Sequence, residues 1–340
     1  MKQTIKYLII LFVASILSSC ADFEELEENP NRPASVPASL VLRGVLSDLN
    51  EEPWSLAHRQ NQFWACNYAY YGSNEYWTNV EFEYLTLKNV LKMEEEAAKS
   101  GNKATPYAAL AKYLKAVLYT KMTQRVGDLP LDEALKGLAL DKPSYNTQKQ
   151  VYVQVLSWLD EANEDLKVLI SNNDLTLQGD IFYNGDLKKW QKAVNTFKLR
   201  VLISLSKKTA DTDLRVASRF AEVVNNPANF PVMTSNADNM NYVYNGTTQI
   251  YPTSPGNKGF DKGRYNMAQT YVKGLTDLND PRVFVTCNPA AKKIKPIADG
   301  GNGLSPASFA AYIGAPSGES QDDMTVKAGN GEYSFANQKR

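Results

Sequence analysis

Three long stretches repeat their apolar residues at helical spacing, and this limits what the chain can become. In the first, Tyr107, Leu110, Leu114, Val117 and Leu118 fall on one face, while Lys112 and Lys115 fall away from it. Thr105-Pro106 offers a cap and a first-position proline, and Gly127-Asp128-Leu129-Pro130 ends the run. In the second, after Lys142-Pro143, Tyr152, Val155, Leu156, Leu159, Ala162 and Leu166 line one side. Gln154, Ser157, Glu161 and Asp165 line the other. The third starts at the N-cap Asp186 and runs to about Ser206, with the stripe Trp190, Ala193, Val194, Phe197, Val201 and Leu205. Each stripe needs a partner to bury it. Consecutive amphipathic helices of this kind predict a mainly α fold of stacked hairpins, as in tetratricopeptide arrays, although the full repeat consensus is not met.

Shorter helices are predicted over 38–50, from Trp54 to Tyr70, from about Phe82 to Ser100 with Gly101 as terminator, over roughly 211–225, and from Arg264 to Leu278. From Phe230 the texture changes. Residues 230–263 are rich in Asn, Gly, Pro and Tyr, and Asn241–Gly246 reads as a short strand and turn. Residues 292–340 carry seven glycines and little periodicity, so they are predicted to be mostly loop.

The start of the chain is of another kind. Lys2 and Lys6 precede an apolar run, Tyr7 to Leu17, which is closed by Ser18, Ser19 and Cys20. This is the order of a secretory signal, too short to span a bilayer. Leu17-Ser18-Ser19-Cys20 resembles a bacterial lipobox. It predicts a signal peptide over 1–19 and fatty acyl chains, such as palmitate, on Cys20 as the first mature residue. The alternative is an ordinary secreted protein with a chance cysteine. Several acyl chains on one residue exceed what stable anchoring requires. Asp22, Glu24, Glu25, Glu27 and Glu28 then lead into a proline-rich stretch, so 20–37 reads as a lipidated tether and 38–340 as the body.

Loss of Lys2 and Lys6 leaves 35 basic residues against 37 acidic ones, which argues against nucleic acid as a partner. No other stretch approaches membrane-spanning length, so the acyl group is the expected membrane contact. Cys66 and Cys287 suit either a pair formed after export or two buried free thiols. His58 is the only histidine, which leaves no His-cluster metal site. No Gly-x-Ser-x-Gly elbow, phosphate loop or Cys-x-x-Cys appears. No catalytic residue, metal or cofactor is assigned.

Aromatic rings are plentiful: 19 Tyr, 12 Phe and 5 Trp. Sugar recognition without catalysis uses flat rings beside planar polar groups. Tyr70, Tyr71, Tyr76 and Trp77, interleaved with Asn74 and Glu75, form one candidate ligand face. Tyr242, Tyr244 and Tyr251 form a second. In both, some of the rings have packing as their alternative role.

Four segments, in order, resemble the SusD/RagB family of outer-membrane lipoproteins. They are Gly127-Asp128-Leu129-Pro130-Leu131-Asp132-Glu133-Ala134; Leu159-Asp160-Glu161-Ala162 within the Tyr145–Ala162 helix; Gly179-Asp180-Ile181-Phe182-Tyr183-Asn184-Gly185-Asp186 continued by Trp190, Asn195 and Leu199-Arg200; and Asn279-Asp280-Pro281-Arg282. The resemblance covers about 20–290. It implies tetratricopeptide-like hairpins with a loop-rich ligand face. It also implies a non-enzymatic subunit that binds oligosaccharide, or in some relatives peptide, over a SusC-like TonB-dependent transporter. The acidic tract after Cys20 is similar to the surface-export signal of Bacteroidetes lipoproteins, which gives an outer-membrane, cell-surface location. A surface glycoside hydrolase with two carboxylates, or a helical scaffold or adhesin, are the other readings of the residues. Family members usually continue past the length seen here. The expectation is therefore a fragment or a short variant, with apolar faces left open.

Overall fold

The computed structural model describes residues 35–51, 55–68, 82–99, 101, 105–245, 247 and 264–337. The expected signal segment, Cys20 and most of the expected tether lie outside them, as do Tyr70, Tyr71, Asn74, Tyr76, Trp77 and Tyr251. Among the described residues the fold is mainly α, with eleven α-helices and one two-stranded ladder.

The larger core belongs to a helical array. It comprises α1 (Ala38–Asp48), α3 (Tyr84–Ala98), α4 (Pro106–Val126), α5 (Gln148–Ser171), α6 (Leu187–Ser204) and α7 (Val216–Asn225). In that order each packs on the next, the arrangement of stacked hairpins. The caps are those the sequence supplies. Thr105 accepts from the Ala108 amide, Thr147 and Gln150 form a capping box, and Asp186 accepts from the Lys188 and Lys189 amides. Leu110, Leu114, Leu156 and Leu159 are wholly buried, each stabilising the fold by about 2 kcal/mol.

One helix departs from its pattern. α4 is buried nearly all round, with Ala109, Ala111 and Ala116 inside as well as the leucines. Lys112 and Lys115 therefore reach across to neighbours. Lys112 pairs with Asp165 at 2.8 Å and Glu161 at 3.2 Å on α5; Lys115 pairs with Glu94 at 3.0 Å on α3.

Asp180 organises the turn before α6. One carboxylate oxygen accepts from the Phe182 and Tyr183 amides, the other from the Gly185 amide and the Trp190 indole at 2.8 Å. Buried polar groups on α5 and α6 hold the chain that follows. Asn163 takes Asn195 at 2.9 Å and Gln191 at 3.0 Å, and donates to the Asn229 carbonyl at 3.2 Å. Asn195 also donates to the Pro231 carbonyl at 3.1 Å.

Two smaller cores form around α2 (Leu56–Gln60), β1 (Trp64–Cys66), β2 (Tyr265–Met267), α8 (Gln269–Asp277), α9 (Val283–Thr286), α10 (Ala291–Ile294) and α11 (Gln321–Gly329). The ladder is antiparallel, with Trp64 opposite Met267, Ala65 opposite Asn266 and Cys66 opposite Tyr265. This corrects two expectations. The helix expected from Trp54 to Tyr70 is a short helix followed by β1, and the one expected from Arg264 opens with β2. Three-residue strands distant in sequence carry no local period that would announce them.

Residues 241–245 form no regular strand. Residues 292–337 are more ordered than their glycines suggest. α11 buries Met324 and Ala328, and Thr325 donates to the Asn67 carbonyl at 2.6 Å. Backbone bridges join Phe335 to Asn266 and Ala336 to Cys287.

Candidate functional site

The segment after α7 is laid across the array by successive side-chain contacts. The Met233 amide donates to Thr196 at 2.9 Å, and the Thr234 amide to the Asp238 carboxylate at 3.0 Å. The other oxygen of that carboxylate takes the Lys192 ammonium at 2.8 Å. Tyr183 donates to the Asp238 backbone carbonyl at 2.8 Å, and Tyr113 to the Met240 sulfur at 3.4 Å. The Lys192 ammonium, then the Thr234 amide, hold the Asp238 carboxyl down at about 2. Burial pushes the Tyr183 and Tyr113 phenols well above their ordinary value, so both remain donors.

Tyr242 and Tyr244 follow. Their rings meet edge to face with centroids 5.2 Å apart, and both are partly exposed. The Asn50 side-chain amide, just past α1, donates to the Tyr244 hydroxyl at 3.0 Å. Asn241 and Asn245 flank the pair and are exposed; the Asn245 side chain accepts from the Thr247 amide at 3.0 Å. Rings set among amides can stack on a flat apolar face and pair with hydroxyls. Two of the three residues in the second candidate group are thus brought together, and Asn50 is added to them. No local signal marks Asn50, which reaches the pair only through the packing of α1.

A second aromatic cluster sits at one end of the ladder. The Arg264 guanidinium lies 3.9 Å from the centroid of the half-exposed Tyr68 ring. Trp64 meets Tyr265 edge-on at 4.3 Å, and Arg59 stands 5.7 Å from the Trp64 ring. The segment bearing Tyr70–Trp77 leaves β1 here, and the segment bearing Tyr251 enters β2 here. The Asn67 amide donates to the Arg264 carbonyl at 3.0 Å and ties the two attachment points together. Tyr68 adjoins the aromatic run but falls within the helix expected from Trp54 to Tyr70, so no local signal sets it apart.

The other marked residues have structural partners. Gly127, at φ 80°, ends α4; Asp128 accepts from the Gln148 amide at 2.8 Å, and Leu129 bridges Asn146. Arg282, though exposed, is held by Asp280 of the same turn through its Nε at 2.8 Å. His58 lies beside Ser55, 3.4 Å away, and edge-on to Phe63. Cys66 and Cys287 are both buried and are not joined to each other, which decides between the two readings of them.

A cleft of about 270 Å³ between α5 and α7 is lined by Asp160, Glu164, Arg215, Arg219, Glu222 and Phe230. Three of its charged residues meet within one cluster. The wholly buried Lys198 reaches Asp160 at 2.5 Å, Asp160 also takes Arg219, and Glu222 stands 3.9 Å from the ammonium. The cleft reads as an ion-paired joint between helices.

The SusD-like family model described as "Starch-binding associating with outer membrane" matches residues 30–335. Among solved structures, an outer-membrane protein of Bacteroides vulgatus provisionally assigned to nutrient binding is 30% identical, with a TM-score of 0.73 over 89% of this chain and 63% of its own. A SusD homologue from Bacteroides fragilis is 31% identical, with a TM-score of 0.72 over 89% of this chain and 62% of its own. A second B. fragilis homologue is 28% identical, with a TM-score of 0.71 over the same shares. The chain therefore spans a little under two thirds of the length of these relatives. No curated protein matches the sequence.

Proposed function

Because the chain belongs to the SusD-like family, whose members associate with the outer membrane, we propose that it is a lipid-anchored surface protein that binds oligosaccharide and hands it to a TonB-dependent transporter. The observation that carries the binding role is the partly exposed Tyr242–Tyr244 pair, with the Asn50 amide on the Tyr244 hydroxyl. Rings supply stacking area and amides supply hydroxyl partners, and neither performs chemistry on the ligand. The loop bearing Tyr70, Tyr71, Asn74, Tyr76 and Trp77 and the segment bearing Tyr251 complete the proposed ligand face. Their attachment at one end of the ladder supports a shared role. The role is recognition without turnover.

Residues 1–19 are the proposed signal peptide, 20–37 the tether and 38–340 the binding body. The order of charged, apolar and small residues before Cys20 supports the anchor. Among the described residues no helix is long and apolar enough to cross a membrane.

Calorimetric titration of maltoheptaose, chitohexaose and a peptide mixture is the test of binding. Tyr242→Ala and Tyr244→Ala should each weaken glycan binding by about tenfold, the effect of one lost stacking contact. Trp77→Ala should do the same if its loop shares the face. Undiminished affinity in both tyrosine variants would remove the pair from the site, peptide binding alone would change the ligand class, and release of reducing ends would refute a purely binding role. Cys20→Ala should abolish acyl labelling and release the protein from membranes; capture of the wild type with a barrel transporter supports the handover.

A further inference from the structure

Among the described residues between 234 and 247 the only regular element is one 3₁₀ turn, Asn236–Asp238. The position of Tyr242 and Tyr244 therefore depends on side-chain contacts, because no helix or sheet ladder carries that stretch. Asp238 is where those contacts converge. It is 5% exposed, and three of its oxygens are taken by different parts of the fold. Lys192 from α6 donates to one carboxylate oxygen at 2.8 Å, the Thr234 amide to the other at 3.0 Å, and Tyr183 to the backbone carbonyl at 2.8 Å. Tyr183 itself is held by Asp180, so the turn before α6 reaches the aromatic pair through Asp238.

We infer that Asp238, clamped by Lys192 and Tyr183, is the positioning residue that sets the Tyr242–Tyr244 pair for its ligand. Three residues separate the clamp from the first ring. A charge-assisted hydrogen bond to a buried carboxylate fixes that origin more firmly than a neutral contact would. Met240, between them, packs against the large core without directional contacts other than the weak one from the Tyr113 hydroxyl to its sulfur. At the far end Asn50 fixes the Tyr244 hydroxyl. The inference rests on the proposal that the pair binds glycan, and its test separates the two.

Fluorotyrosine incorporated in the full chain gives ¹⁹F signals for residues 242 and 244, assigned through Tyr242→Phe and Tyr244→Phe. Asp238→Asn and Lys192→Met are compared with wild type for these signals, for the melting temperature and for maltoheptaose affinity. Each should shift both signals and weaken binding by about tenfold, the cost of a lost charge-assisted bond passed on to the ligand. The double variant should be no weaker than either single one, because both remove the same contact. Unmoved signals with affinity within about twofold of wild type would overturn the inference, even if the melting temperature falls. Should Tyr242→Ala and Tyr244→Ala leave binding intact, the site reading fails while the ¹⁹F signals still decide the positioning role. Should Asp238→Asn fail to fold, Lys192→Met, which alters a partly exposed residue, carries the same comparison.

Discussion

Gly179 lies so close to Ser39 that a Cβ placed on it would stand 1.9 Å from the Ser39 carbonyl oxygen. Its φ of +81° is also in the left-handed region, so two costs coincide at one position. Gly179→Ala must strain the turn and push α1 off the array, and it should lose at least about 3 kcal/mol in urea unfolding. Gly101 has a similar φ of +79° but open space around it, so Gly101→Ala should cost only about 1 kcal/mol. Equal losses at the two positions would show that the contact with α1 contributes nothing.

Lys198 is wholly buried, yet its carboxylate partner Asp160 reaches the surface. Removing the lysine removes a buried charge; removing the aspartate strands one. Lys198→Met should change stability by less than about 1 kcal/mol, whereas Asp160→Ala should lose about 2–3 kcal/mol. Denaturant unfolding of the two variants settles the order. A larger loss from Lys198→Met would mean that the ion pair, and not the packing of the lysine stem, holds α6 to α5.

Acid should loosen the fold through two carboxylates. Asp238 is held at about 2 by Lys192 and then Thr234, and Glu96 at about 2 by Lys99, Lys92 and Ser35. Both folded values lie below the unfolded ones, 3.8 and 4.5, so the unfolded chain binds more protons in between. Their contribution is complete above about pH 5 and is lost as the pH falls towards about 2. Melting temperatures measured down that range should fall, and Asp238→Asn and Glu96→Gln should each flatten the slope. Unchanged slopes would remove these groups from the acid response.

Cys66 and Cys287 have almost no exposed surface, and burial pushes the Cys287 thiol up to about 11. Reaction needs an accessible thiolate. Alkylation of the folded protein at pH 8, located by mass spectrometry, should leave both unmodified, and denaturant should expose both. Labelling of Cys287 without denaturant would place local opening around α9.

The helical hairpins were legible because each one carries its information locally. The stripe of α5, from Tyr152 to Leu166, is a face read directly from spacing, and Thr105, Thr147 and Asp186 mark where helices begin. α4 shows the limit of that reading. Its lysines looked solvent-facing, but α3 and α5 bracket the helix and supply the acids. The candidate site was half legible. Tyr242 and Tyr244 stood out by composition, while Asn50, Lys192 and Asp238 did not, since a lone polar residue in sequence says nothing about what it will touch.

Sequence alone was sufficient for the mainly helical class, the caps and the family motifs. Each depends on neighbours within a few turns of chain, where periodicity and capping chemistry act. Tertiary structure alone decided the pairing of Trp64–Cys66 with Tyr265–Met267, the order in residues 292–337, the separate burial of Cys66 and Cys287 and the clamp at Asp238. Those features are made by groups brought together from far along the chain, and their energies exist only once burial and close packing have closed the distance.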